Sequence, residues 1–253
     1  VDGAPIASPR LQELLSDLAR FPELSYFETL TAAAFRAFAE EHLDLVVLEA
    51  GLGGRWDATN VAEPLVTLLT NVGTDHQAWL GPTRGHIAAE KAAALGGREA
   101  IVGAWDEEVE PVIRREANPA TSLSLASDWA LVRPGNRGQG TGDSEGFPWL
   151  TPAVPGPRTP DPGPRVAFDV SGVRGRATLP LFGAHQLDNL TLALAGAAAL
   201  ARHGAVPSLL AEAIATGVAG VTWPGRLDAR TWQGRRLLLD GAHNREAAAA
   251  LAR

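Results

Sequence analysis

The chain has 253 residues, with 22 Lys+Arg against 29 Asp+Glu and a formal net charge of -7; that length can bury a core, and the charge balance offers no basic field for nucleic acid or an anionic membrane. It contains no cysteine, which excludes disulfides, thiolate metal sites and cysteine nucleophiles and leaves any metal to oxygen or imidazole ligands. No apolar run approaches the ~20 residues of a membrane span, and Val1-Asp2-Gly3 does not open a signal segment, so a cytoplasmic protein is expected.

The chain also lacks methionine. It stops at Leu251-Ala252-Arg253 inside a helical pattern, so both ends read as cut and an incomplete chain is expected. Arginine has displaced lysine everywhere but at Lys91. A position that keeps lysine in such a chain fits a need for a neutral amine, which arginine cannot supply.

Ser8-Pro9 followed by Leu11, Leu14, Leu15 and Leu18 has a cap, an early proline and helical spacing, which predicts a helix. Tyr26 to Ala39 predicts a second, with Phe27, Ala34, Phe35 and Phe38 turned to a sheet. Leu45 to Leu48 is a short continuous apolar run, as in a buried parallel strand. It ends at Glu49, followed by the loop Gly51-Leu52-Gly53-Gly54. Ligands of open α/β sheets sit beyond the carboxyl ends of strands, so Glu49 is placed to hold a metal or a proton, or to cap the segment that follows.

Leu65 to Val72 predicts another strand, ending at Gly73-Thr74-Asp75-His76. Thr83 can cap a helix through Ala94 that carries Glu90 and Lys91, and Ala100-Ile101-Val102 reads as a strand. Glu107 to Ala117 predicts a helix, and Thr121 to Leu125 and Trp129 to Val132 further strands. Alternation of helix and strand argues for a doubly wound, mostly parallel α/β sheet. From Arg133 to Arg165 Gly, Pro, Asp and Ser dominate, a composition that buries too little apolar surface to order itself and predicts a long mobile loop.

Val166 to Val170 and Arg176 to Leu181 predict a hairpin. Gly183 to Asn189 leads into an alanine- and leucine-rich helix ending near His203-Gly204, and Pro207 to Thr216 predicts one more helix. Trp223-Pro224-Gly225-Arg226-Leu227-Asp228 reads as a hinge. Beyond it, Arg236 to Asp240 predicts a strand that empties into Gly241-Ala242-His243-Asn244. Two domains are therefore expected: residues 1–222, with 133–165 as a Gly/Pro-rich loop, and 223–253 as a hinge and the start of another domain. His42, His86 and His203 read as isolated histidines.

Taken together, Phe27 to Phe35, Glu49 to Asn60, Asn71 to His76, Glu90-Lys91-Ala92, His185 to Asn189, Trp223 to Leu227 and Asp240 to Asn244, in this order, resemble the folylpolyglutamate synthase and dihydrofolate synthase family of the Mur ligase superfamily. The resemblance implies a central ATPase domain followed by a Rossmann-like domain. It implies an ATP-dependent ligase in which ATP phosphorylates a folate or dihydropteroate carboxylate and the amino group of L-glutamate attacks the acyl phosphate. Glu49 and His76 would be Mg2+ ligands, and Lys91 a lysine carried as a carbamate. Gln186 and Asn189 would meet adenine, Arg226 the phosphates of ATP, Asp240 the ribose, and His243 a phosphate or the incoming glutamate. The resemblance also implies a monomer acting on small molecules.

The family's glycine-rich phosphate loop with its Gly-Lys-Ser/Thr ending does not occur in this sequence. The chain by itself is accordingly expected to have little or no activity. The competing expectations are another Mur-type ligase acting on a different carboxylate, and a degenerate member that binds nucleotide or a partner without catalysis.

Overall fold

Ser25 starts the second helix with a capping box: its hydroxyl accepts from the Glu28 N–H at 3.3 Å while the Glu28 carboxylate accepts from the Ser25 N–H at 2.7 Å. Such a cap contributes about 1 kcal/mol. The computed structural model describes residues 4–135 and 163–252. By its contacts the chain divides into two units, Val1–Ala100 with Trp105–Leu123, and Ile101–Ala104 with Ser124–Arg253.

In the first unit α1 (Ser8–Leu18) packs on α2 (Tyr26–Glu40). Leu14 and Ala33 are buried, and Arg36 donates to Asp17 at 2.5 Å. The aromatic face of α2 was expected against a sheet. The helix packs instead on α1 and on a 3-10 turn, Ala58–Val61, and Phe27 is 39% exposed. β1 (Val66–Leu69) is followed by the one-turn α3 (Gln77–Leu80), then α4 (Arg84–Ala92), β2 (Glu99–Val102), α5 (Glu110–Glu116) and β3 (Ser122–Leu125). α4 packs on α5, and Ile87 and Ala88 of the one and Ile113 of the other are buried.

The sheet order is β1-β2-β3. Backbone bonds join the strands at their starts, from Arg98 N to Leu65 O and from Ser122 N to Arg98 O, which is the parallel arrangement. The predicted strand Leu45–Leu48 is not formed. No strand among the described residues pairs with it, and Val47 is 86% exposed. Apolar character makes a segment suitable for a sheet, but only a paired neighbour satisfies its backbone groups.

The second unit holds an antiparallel sheet of β4 (Ala130–Pro134), β5 (Arg165–Val170) and β6 (Val173–Thr178). Val166, Phe168 and Val170 alternate into its buried face, and α6 (His185–Arg202) packs on β4 and β5. The loop expected at 133–165 begins and ends inside these strands, and its interior, 136–162, lies outside the described residues. α7 (Ala211–Ala219) packs on β6 and starts four residues later than expected, at 211 rather than 207. β7 (Asp228–Trp232) and β8 (Arg235–Leu239) form a hairpin before α8 (Arg245–Leu251). β7 was not anticipated. Its turn places Gln233 and Gly234 at φ 49° and 73°, the paired positive angles of a type I′ hairpin turn. Among the described residues no helix is long and apolar enough to cross a membrane.

Candidate functional site

In the first unit the glycine loop is organised by Asp57. Its carboxylate is 9% exposed and accepts from the Gly51 and Leu52 N–H groups at 2.8 and 2.9 Å, and from the Thr59 N–H and hydroxyl at 3.0 and 2.6 Å. Burial pushes this carboxyl upward. The hydrogen bonds from the Thr59 hydroxyl and the three backbone donors outweigh it, so the group sits below the usual aspartate range. The pattern Asp-x-Thr is a local cap signal. It was available in the sequence and assigned no role.

Gly53 has φ +71°, and a Cβ there would lie 2.8 Å from Leu80 of α3. Gly54 approaches the end of α4: a Cβ would meet the carbonyls of Glu90 and Lys91 and the Ala94 Cβ, each at 2.9 Å. Arg55 then fastens the loop. Its N–H donates to the Glu90 carbonyl at 2.9 Å, and its guanidinium to Glu90 at 3.1 Å and Glu116 at 2.9 Å. Two of the obstacles at Gly54 are backbone atoms and cannot rotate away. Gly54→Ala is therefore expected to push the loop from α4 and cost about 1–3 kcal/mol of stability, as overpacking does, which urea unfolding of the whole protein measures.

Lys91 lies half-buried in the last turn of α4, beside this contact. His76 precedes α3 at φ 60°, with its N–H donating to Asp75 at 2.8 Å and its carbonyl accepting from Trp79 and Leu80, both at 2.9 Å. A left-handed non-glycine residue stores about 1–3 kcal/mol and is concentrated at functional turns. The glycine loop touches α3 through Leu80 and α4 through Lys91, so the His76 turn and the Lys91 turn both adjoin it. Glu49 is exposed at the loop's entrance. It does not end a strand, contrary to expectation, because Leu45–Leu48 forms none.

Among the described residues no group of three or more His, Cys, Asp or Glu is placed to hold a metal ion. Glu49 and His76 are thus not part of a closed cage. An exposed carboxylate fits Mg2+, which takes one or two protein ligands and completes its shell with phosphate oxygens and water. An open depression lined by Asn60, Glu63, Arg98 and Asn118 lies at the amino ends of β1 and β2. That is the end opposite to where ligands sit in parallel sheets.

In the second unit the first turn of α6 carries a relay. Asn189 donates to the Gln186 carbonyl oxygen at 3.1 Å, and the Gln186 amide nitrogen faces His185 Nε2 at 3.0 Å. The Gln186 amide thus bridges His185 and Asn189. Gln186 is 8% exposed and Asn189 exposed. Asp240 spends its oxygens on backbone donors, Leu227 N–H at 2.9 Å and Ala242 N–H at 2.8 Å. With the bond from Gly241 N–H to the Gly225 carbonyl at 2.8 Å, it ties the Trp223–Asp228 turn to the end of β8. Arg226 is exposed within that turn, with a guanidinium nitrogen 3.1 Å from where a Gly241 Cβ would stand. His243 Nδ1 donates to the Gly241 carbonyl at 2.8 Å, and Asn244 caps α8. Arg226, Asp240 and His243 are therefore brought together.

No protein-family model matches the chain. The dihydrofolate synthase/folylpolyglutamate synthase of Mycobacterium tuberculosis is 37% identical over 240 residues, covering 91% of this chain and 45% of that protein. The folylpolyglutamate synthase of the same organism in complex with ADP superimposes with a TM-score of 0.76 at 32% identity, over 99% of this chain and 54% of that one. An FPGS–AMPPCP–folate complex gives a TM-score of 0.73 at 28% identity, over 95% and 53%. The chain spans about half the length of the curated relatives it matches.

Proposed function

Since the chain belongs to the dihydrofolate synthase/folylpolyglutamate synthase family over the part of its relatives that it spans, we propose that the whole protein is an ATP-dependent ligase joining L-glutamate to a folate or dihydropteroate carboxylate. The observation that carries this reading is the meeting of the glycine loop with the His76 turn and the Lys91 end of α4. The likeness to structures holding ADP, or AMPPCP with folate, supports the substrate class.

The carboxylate oxygen attacks the γ-phosphorus of ATP and ADP leaves. The glutamate amine then attacks the acyl carbon, loses a proton, and phosphate departs. Both steps build negative charge on phosphoryl and acyl oxygens, so catalysis is mostly positioning and charge stabilisation. Mg2+ held by Glu49 and His76 would neutralise phosphate charge when bound. Lys91, as a carbamate, would add a fixed anion beside that site. Gln186 and Asn189 keep an amide donor and an amide acceptor beyond their mutual bond, the pair an adenine edge requires. Arg226 supplies a cation for the phosphates. Asp240 holds the Arg226 turn to the His243 loop, and any ribose hydroxyl would be bound through its remaining lone pairs. A hinge at Trp223, a monomeric state and a cytoplasmic location complete the proposal.

The test is ADP release by the whole protein with folate or dihydropteroate as acceptor. Release that requires both the pterin carboxylate and L-glutamate is expected. Release that requires a different carboxylate or amino acid would replace this substrate assignment.

A further inference from the structure

Arg84 occupies the first position of α4, where a cation is opposed by the helix dipole. It is nevertheless held by three acceptors. Nε donates to the Val72 carbonyl at 3.2 Å, and the two terminal nitrogens donate to Glu108 and Asp106, both at 2.7 Å. Asp106 is itself pinned by the Glu108 and Val109 N–H groups at 3.2 and 3.3 Å. Asp106 and Glu108 side chains are 53% and 54% exposed, and ion pairs this exposed contribute little to stability. What the arrangement supplies is geometry. A planar guanidinium fork can fix several acceptors at once in a way an ammonium group cannot.

The acceptors define the purpose. Val72 is buried and lies between β1 and the Gly73-Thr74-Asp75-His76 turn. α4 runs from Arg84 to the turn containing Lys91, about 10 Å along its axis. We propose that Arg84 is a positioning residue that ties the His76 turn to the start of α4, so that a single helix sets the spacing of His76 and Lys91. The inference rests on the reading of His76 and Lys91 as parts of the ligase site. Its role runs through the Val72 carbonyl.

The experiment compares the whole protein with its R84Q, R84K and H76A variants. Mn2+ serves as the spectroscopic probe, titrated in the presence of a non-hydrolysable ATP analogue, and kcat and KM for ATP are measured alongside. R84Q is expected to weaken Mn2+ binding and lower kcat, each about tenfold, the usual scale for groups that orient metal ligands, with KM for ATP within about twofold and the urea midpoint unchanged. R84K should fall between R84Q and the unaltered protein. An R84Q protein that binds Mn2+ and turns over as the unaltered one does, while H76A loses Mn2+, overturns the positioning role alone. If H76A also leaves Mn2+ binding unchanged, the assignment of the site fails, and the inference with it. Losses in R84Q that track a lowered urea midpoint, with kcat per folded molecule preserved, would make Arg84 a structural residue only.

Discussion

Lys91→Ala in the whole protein is expected to lower glutamate ligation about 10²–10³-fold, the range seen when one charge-stabilising group is removed from a transition state. Lys91→Arg is expected to be equally poor. The two variants together separate two chemistries at one position. A lysine acting as a cation would be replaced in part by arginine, whose charge is permanent. A lysine acting through a neutral amine that takes up carbon dioxide would not, because arginine offers no such amine at neutral pH. The sequence context favours the second, since arginine has replaced lysine everywhere else in the chain. The measurement is steady-state ADP release at saturating ATP, repeated in buffer stripped of bicarbonate. Activity that falls on stripping and returns on adding bicarbonate is the expected result. A Lys91→Arg protein retaining most of its turnover would rule the carbamate out.

Asp57→Ala is expected to be the most destabilising of the substitutions considered. The carboxylate is buried and satisfies donors from Gly51, Leu52 and Thr59, so alanine strands those donors and frees the glycine loop. Hydrogen bonds to a charged group contribute about 1.5–3 kcal/mol, and stranded buried donors cost a comparable amount. A loss of about 2–4 kcal/mol in urea unfolding at neutral pH follows. The acid limb carries a second signature. Because the folded protein holds this carboxyl below its usual range, its contribution is fully present above the unfolded-state value, about 3.9. It disappears as the pH falls through the depressed folded value. Asp57→Ala lacks that contribution at every pH, so the gap between the two proteins should narrow on acidification below about pH 4. A gap that stayed constant to the lowest measurable pH would mean that the carboxylate is not the stabilising group.

Much of the secondary structure follows from local pattern. The apolar spacing of Leu11, Leu14, Leu15 and Leu18 yields α1, and the alternation of Val166, Phe168 and Val170 yields β5. Thr83 caps α4 as its position suggests, accepting from the His86 N–H at 3.3 Å. Where local pattern was insufficient, the reason is a partner distant in sequence. Leu45–Leu48 has the composition of a buried strand, yet no described strand pairs with it. β7, in contrast, has little strand character of its own and is made by its register with β8 through the turn at Gln233-Gly234.

The site divides along the same line. The order of the motifs from Phe27 to Asn244 was enough to name the family, and with it the roles proposed for Glu49, His76, Lys91, Gln186, Asn189, Arg226, Asp240 and His243. Residue identity and spacing carry that information because the chemistry demands particular groups and a shared fold fixes where along the chain they fall. Tertiary structure alone decided what holds those groups in place. The glycine loop is clamped to α4 through Gly54 and Arg55, Arg84 holds the Val72 carbonyl ahead of the His76 turn, and Asp240 is committed to the backbone of Leu227 and Ala242. Where α4 packs on α5, Arg55 of the glycine loop meets Glu116 of α5, and Arg84 of α4 meets Asp106 ahead of α5. Such pairs have no fixed spacing in the chain and leave no periodic trace, so no sequence pattern marks them before the helices dock.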